Sequence, residues 1–179
     1  MPSIGQARIL IMATDGFEEH ELFGPRALLR ERGAEVVLAS PSMTPIQATV
    51  RDDPGKTIRP DMTIAEVRAQ DFDALILPGG VINPDSLRTN RFAVDLVRAF
   101  ANAKKPVAAI CHGPWMLVEA DVLRGVRATS WKSIRTDLRN AGAELSDERV
   151  VSDGWIITAQ APEDVEAFTA ALIEAIEAI

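Results

Sequence analysis

The 179-residue chain predicts a doubly wound α/β sandwich. Two observations carry that prediction. Short, continuously apolar runs recur along the chain, and amphipathic helical patterns lie between them. A run with no polar alternation is what a parallel strand shows when helices cover both faces of its sheet.

The first run is residues 9–13, which pass directly into Asp15-Gly16. Residues 18–32 then read as a helix. Pro25 is expected to kink or divide it, because proline lacks an N–H and its ring strikes the preceding turn. Residues 36–39 form the second run. Residues 44–60, rich in Pro, Asp, Thr and Gly, read as a loop or a short hairpin excursion. Residues 74–77 form the third run. Phe92, Leu96, Val97 and Phe100 then share one helical face, with Arg91, Asp95 and Arg98 elsewhere. Residues 106–110 form the fourth run. Residues 150–152 and 155–158 flank Asp153-Gly154, a hairpin signal. After Pro162-Glu163-Asp164, residues Phe168, Leu172, Ala175, Ile176 and Ile179 recur at helical spacing. No repeat or linker divides the chain, which reads as one domain over residues 1–179.

The formal net charge is -7, with 47% apolar and 25% charged residues. A nucleic-acid-binding face needs clustered Lys and Arg to displace counterions from phosphates, and no such cluster occurs. Nucleic acid and acidic membrane surfaces are therefore excluded as expected partners. One cysteine cannot form an intramolecular disulfide, which fits a reducing compartment. No stretch reaches the ~18 apolar residues of a membrane span, and the N-terminus offers no secretory signal. A cytoplasmic location is expected.

Ligands of open parallel sheets bind beyond the carboxyl ends of the strands. Three polar clusters follow apolar runs in that position: residues 15–21, Pro78-Gly79-Gly80, and Cys111-His112-Gly113-Pro114. In a parallel sheet they meet on one edge. Cys111 lies between a buried strand and an expected helix that starts near Pro114. A thiol at a helix N-terminus is expected to favour thiolate; the competing reading is a small buried hydrophobe. His112 is the natural base, given a tight turn that brings adjacent side chains together. His20, between acids in a helix, reads as a solvated surface residue. Glu21 reads either as a hydrogen-bond partner of the sulfur or, like Glu18 and Glu19, as an acid that complements the helix dipole. Gly79 and Gly80 let backbone N–H groups approach a ligand, and with the Cys111–His112 turn they form a candidate oxyanion hole. Glu18 is a further candidate at the substrate. Asp85 either caps the following helix or orients His112. Trp115, Trp131 and Trp155 read as packing residues. No spacing of Cys, His and carboxylates suggests a metal site, and no cofactor is expected.

Residues 15–22, 73–80, Asn83-Pro84-Asp85 and 108–115, with Thr129-Ser130-Trp131 and residues 137–142, resemble the PfpI family, within the class I glutamine amidotransferase-like superfamily. The resemblance implies a flavodoxin-like three-layer sandwich with Cys111 in a strained elbow. It also implies a Glu21–Cys111 hydrogen bond, with Gly80 and the His112 backbone near an oxyanion. It further implies that an acid at Asp85 reaches His112 from a neighbouring subunit, within a homodimer or a hexamer. Relatives often carry Ser-Arg-Lys-Pro where this chain has Ala159-Gln160-Ala161-Pro162. The expected activity is that of a cofactor-independent cysteine hydrolase or lyase acting on small carbonyls or their protein adducts, of the deglycase, glyoxalase III or peptidase kind, in stress protection. The alternative is a peroxide-sensing stress protein or holding chaperone whose cysteine oxidises without turnover.

Overall fold

A computed structural model describes residues 2–179. In chain order the elements are β1 (Arg8–Met12), β2 (Phe17–Glu18), α1 (Glu19–Glu31), β3 (Glu35–Ser40), β4 (Ile46–Val50), β5 (Asp53–Ile58), β6 (Met62–Thr63), β7 (Ala74–Leu77), α2 (Ile82–Leu87), α3 (Arg91–Asn102), β8 (Val107–Ile110), α4 (Trp115–Glu119), β9 (Arg127–Ala128), α5 (Arg135–Asn140), β10 (Glu144–Leu145), β11 (Val150–Asp153), β12 (Ile156–Ala159) and α6 (Val165–Glu177). Among the described residues the main sheet has seven strands in the order β11-β12-β8-β7-β1-β3-β6. Only the β11–β12 pair is antiparallel; it is the expected hairpin, turning through Gly154 at φ 59°.

Alternate side chains of the central strands enter two separate cores, which is why their sequences are apolar without a break. Leu10, Met12, Leu75, Leu77 and Ala109 pack with Val97, Phe100 and Leu117 of α3 and α4. Ile9, Ile11, Ile76, Ala108 and Ile110 pack with Leu22 and Leu29 of α1 and Phe168 and Leu172 of α6. The adjacent strands β1, β7 and β8 end at Met12, Leu77 and Ile110, so the three polar clusters emerge side by side.

The structure decides between alternatives at three places. Pro25 lies inside α1, but the helix is continuous from Glu19 to Glu31. The preceding Gly24 has no Cβ to meet the proline ring, which removes much of the usual obstacle. Asp85 caps no helix: it sits within α2, and the α3 cap is Asn90, whose side chain accepts the Ala93 N–H at 3.2 Å. Of the two readings of the polar stretch 44–60, the hairpin holds: β4 pairs with β5, and its tip turns at Arg51 with φ 57°. Asp15 anchors it by accepting the Gln47 N–H at 2.7 Å, while the Gly16 N–H donates to the Gln47 carbonyl at 2.8 Å.

Candidate active site

Cys111 follows β8 in the left-handed region, at φ 61°. A non-glycine residue there costs roughly 1–3 kcal/mol and persists only where its surroundings hold it. The holding groups are backbone. The Cys111 N–H donates to Ala159 O at 2.9 Å, its carbonyl accepts the Trp131 N–H at 2.9 Å, and the Gly113 N–H donates to Ile110 O at 2.8 Å. Gly113 is needed for space: a Cβ there would lie 2.3 Å from the Leu77 carbonyl oxygen. The turn reverses the strand's alternation, so the neighbouring side chains Cys111 and His112 meet, with Sγ and Nδ1 3.3 Å apart.

The first turn of α1 delivers Glu21, which is completely buried. Its Oε1 accepts the Gly79 N–H at 2.9 Å, and Oε2 has no partner of normal hydrogen-bond geometry. The carboxyl is in side-chain contact with the Cys111 sulfur. Burial pushes the Glu21 carboxyl well above the usual carboxylate range, which favours its protonated form. Gly79 closes this packing: a Cβ on it would stand 2.6 Å from Glu21 Oε1 and 2.8 Å from the Cys111 Cβ.

Burial also pushes the Cys111 thiol up, and a charged Glu21 would push it further; the His112 and Gly80 N–H groups, both directed at the sulfur, pull it down. Burial thus works against the thiolate expected from a helix terminus. The following helix α4 has only five residues, and Cys111 is 7% exposed. Loss of water around the sulfur outweighs so short a dipole. Gly80 itself adopts φ 74°, and a Cβ would collide with the Gly16 carbonyl.

The His112 ring is buried between two tryptophans, edge-on to Trp115 at 5.3 Å and stacked with Trp131 at 6.2 Å. Burial lowers its pKa from the ordinary 6.5, so it is neutral and able to accept a proton at physiological pH. Its Nε2 lies 3.3 Å from Ser133 Oγ. Asp85 is exposed on α2 and makes no contact with His112 within the chain. His20 is exposed, as expected, and Trp155 stands at the β11–β12 turn, 37% exposed.

The sulfur opens into a cavity of about 440 Å³. Its walls include Glu18, the hairpin tip Arg51-Asp52, Gly80, Val81, Trp131 and Pro162-Glu163. Three carboxylates and one guanidinium therefore surround the mouth. A larger groove of about 500 Å³ between α1 and α6 contains no nucleophile. Among the described residues no three His, Cys, Asp or Glu side chains gather as metal ligands, and no helix is long and apolar enough to cross a membrane.

Sequence reasoning missed Arg51, Asp52, Ser133 and Glu163. Arg51-Asp52 at the centre of the polar stretch 44–60 was the available signal for the hairpin tip. Nothing in the sequence marked Ser133, and Glu163 read only as the start of the last helix.

The model of the DJ-1/PfpI family matches residues 7–175. The chain belongs to the DJ-1/PfpI family. Its DJ-1/PfpI relatives include Deglycase PfpI of Pyrococcus furiosus, 40% identical over 161 residues that cover 90% of this chain and 94% of the relative. Protein/nucleic acid deglycase 2 of Escherichia coli is 40% identical over 171 residues, covering 90% and 92%. The crystal structure of a two-domain protein from Anabaena variabilis, with DJ-1/ThiJ/PfpI-like and ferritin-like domains, superposes with a TM-score of 0.91 at 35% identity; the match covers 96% of this chain and 48% of that one. The DJ-1/PfpI fold thus spans nearly the whole chain.

Proposed function

We propose that this protein is a cysteine-dependent hydrolase or lyase acting on small carbonyl compounds or their adducts on proteins. The observation that carries this reading is the position of Cys111, held in a left-handed turn with two N–H donors and the buried Glu21 carboxyl at its sulfur. The deglycase names of its relatives support the same chemistry.

His112 Nδ1 accepts the thiol proton as the sulfur adds to the carbonyl carbon. The carbonyl's π electrons move onto oxygen, where the Gly80 and His112 N–H groups and the Glu21 proton stabilise the charge. His112 then returns its proton to the leaving amine or alkoxide, and water releases the product from sulfur. The sensor alternative would instead leave a stoichiometric oxygen adduct on Cys111 after mild peroxide, without turnover. We further propose that two or more copies assemble so that Asp85 of one orients His112 of another.

Dicarbonyl, amide and peptide substrates assayed with wild type and Cys111→Ser test the reading. Turnover is expected to fall at least about 10³-fold in Cys111→Ser, and about 10²-fold or more in His112→Asn. A Cys111→Ser protein with undiminished rates on every substrate would refute it.

A further inference from the structure

The charge around the cavity mouth bears on which carbonyl compounds enter. Glu18 and Asp52 line one side with Arg51, and Glu163 lines the segment after β12. Arg51 is bound to Glu18 only through its backbone N–H, which lies 3.2 Å from Oε2. Glu163 is held loosely: its contact with Arg149 is 3.9 Å, while Arg149 donates to Asp164 at 2.8 Å. Gln160, two residues before Pro162, brings a neutral amide, whose Nε2 is spent on Thr129 Oγ1 and the carbonyls of Asp147 and Glu148. Beneath the mouth, the fully buried Glu21 carries an Oε2 atom with no normal partner, next to the sulfur. Three carboxylates against one guanidinium leave the mouth negative, within a chain of net charge -7.

Building on the reading of Cys111 as the nucleophile, we infer that the cavity selects substrates carrying an ammonium or guanidinium group beside the reacting carbonyl, and that Glu163 is a specificity-determining residue. Carboxylate-bearing carbonyl compounds are disfavoured by the same field. Glu163 is well placed for this because its side chain is 72% exposed and the contact with Arg149 leaves it free to turn to a ligand.

Because Cys111 is the only cysteine, charged thiol reagents test the field without requiring turnover. Trimethylammonium-ethyl, sulfonatoethyl and hydroxyethyl methanethiosulfonates each transfer their tail to the thiolate as a disulfide and expel methanesulfinate. All three meet the same thiolate, so its abundance cancels from the rate ratios, and 2-mercaptoethanol supplies each reagent's intrinsic rate. The normalised cation-to-anion ratio is expected to exceed about fivefold at low salt and to fall toward one near 1 M salt, where the screening length is about 3 Å. Glu163→Gln should reduce the ratio about four- to sixfold, because one charge at roughly 8 Å in a high dielectric shifts the cation and anion rates about twofold each in opposite directions. Arg51→Asn should raise it by a similar factor; asparagine tolerates the left-handed backbone at that position. The hydroxyethyl rate should stay constant throughout.

A normalised ratio of one or less at low salt, or no change in Glu163→Gln, would overturn the inference while leaving Cys111-dependent turnover intact as a separate result. A confirmed charge preference without turnover would count only against the proposed chemistry. Failure of the neutral reagent to label Cys111 would overturn both.

Discussion

At the scale of single residues, the two nitrogens of His112 decide how the nucleophile is activated. Nδ1 can accept the thiol proton only when Nε2 carries the other hydrogen, and within the chain Ser133 Oγ, 3.3 Å away, is the group placed to accept it. Ser133→Ala should therefore lower kcat about three- to tenfold with little change in KM, in line with the ~1 kcal/mol of one hydrogen bond. Ser133→Thr should restore most of the loss, and steady-state kinetics of the two variants would show it. The pH dependence follows from the same geometry. His112 is neutral above a pKa that burial lowers from 6.5, while the Cys111 thiol is raised above its ordinary 9.0. Iodoacetamide labelling should climb continuously from pH 7 to 9 with no plateau. Labelling that levels off below pH 8 would show a thiol far more acidic than its burial allows. Cys111, His112, Gly79 and Gly80 were legible because they follow recognisable strands, whereas Glu21, in the first turn of α1, stayed open between the sulfur and the helix dipole. Ser133 was not, because only the fold brings a residue 21 positions away to the imidazole.

At the scale of elements, the turn after β8 makes strict demands on its residues. Gly113 must be glycine because a Cβ would meet carbonyl oxygens of Leu77 and Ile110 at 2.3 and 2.9 Å, and strand backbone within a sheet cannot retreat. Gly113→Ala should cost about 3 kcal/mol or more. Gly125→Ala serves as the comparison: its φ is also unfavourable, at 70°, but nothing lies within 4 Å of the added methyl. It should cost only about 1 kcal/mol, and urea unfolding midpoints would separate the two. The strands and α3 were readable from periodicity, since burial on one or two faces imposes a pattern on neighbouring residues. The continuity of α1 through Pro25 was not, because the general penalty for proline ignores the absent Cβ of Gly24. The β4–β5 hairpin could be read only as one of two alternatives, for a different reason. Almost all of β5 is exposed or half-buried, so no apolar alternation marks it.

At the scale of the whole molecule, Glu21 couples the site to global stability. Its folded-state pKa lies well above the ordinary 4.5, so the folded chain retains a proton that the unfolded chain releases. The stabilising contribution of that proton is complete below pH 4.5 and is lost as pH rises through the folded value. Glu21→Gln, which stays neutral, should melt a few degrees above wild type at pH 8. The difference should close below pH 4.5, and turnover should fall. Equal melting temperatures at both pH values would show that Glu21 carries no such burden. The sequence by itself determined the layered architecture, the polar clusters that follow the central strands and the identity of the sulfur and imidazole, because each is written in local pattern or in residues adjacent along the chain. Only the tertiary structure decided that the sulfur lies in a desolvated rather than a cationic setting, that Ser133 faces the imidazole, and that carboxylates from three separate segments ring the mouth. Such properties depend on distances through space and on excluded water, and neither is encoded in the spacing of residues along one dimension.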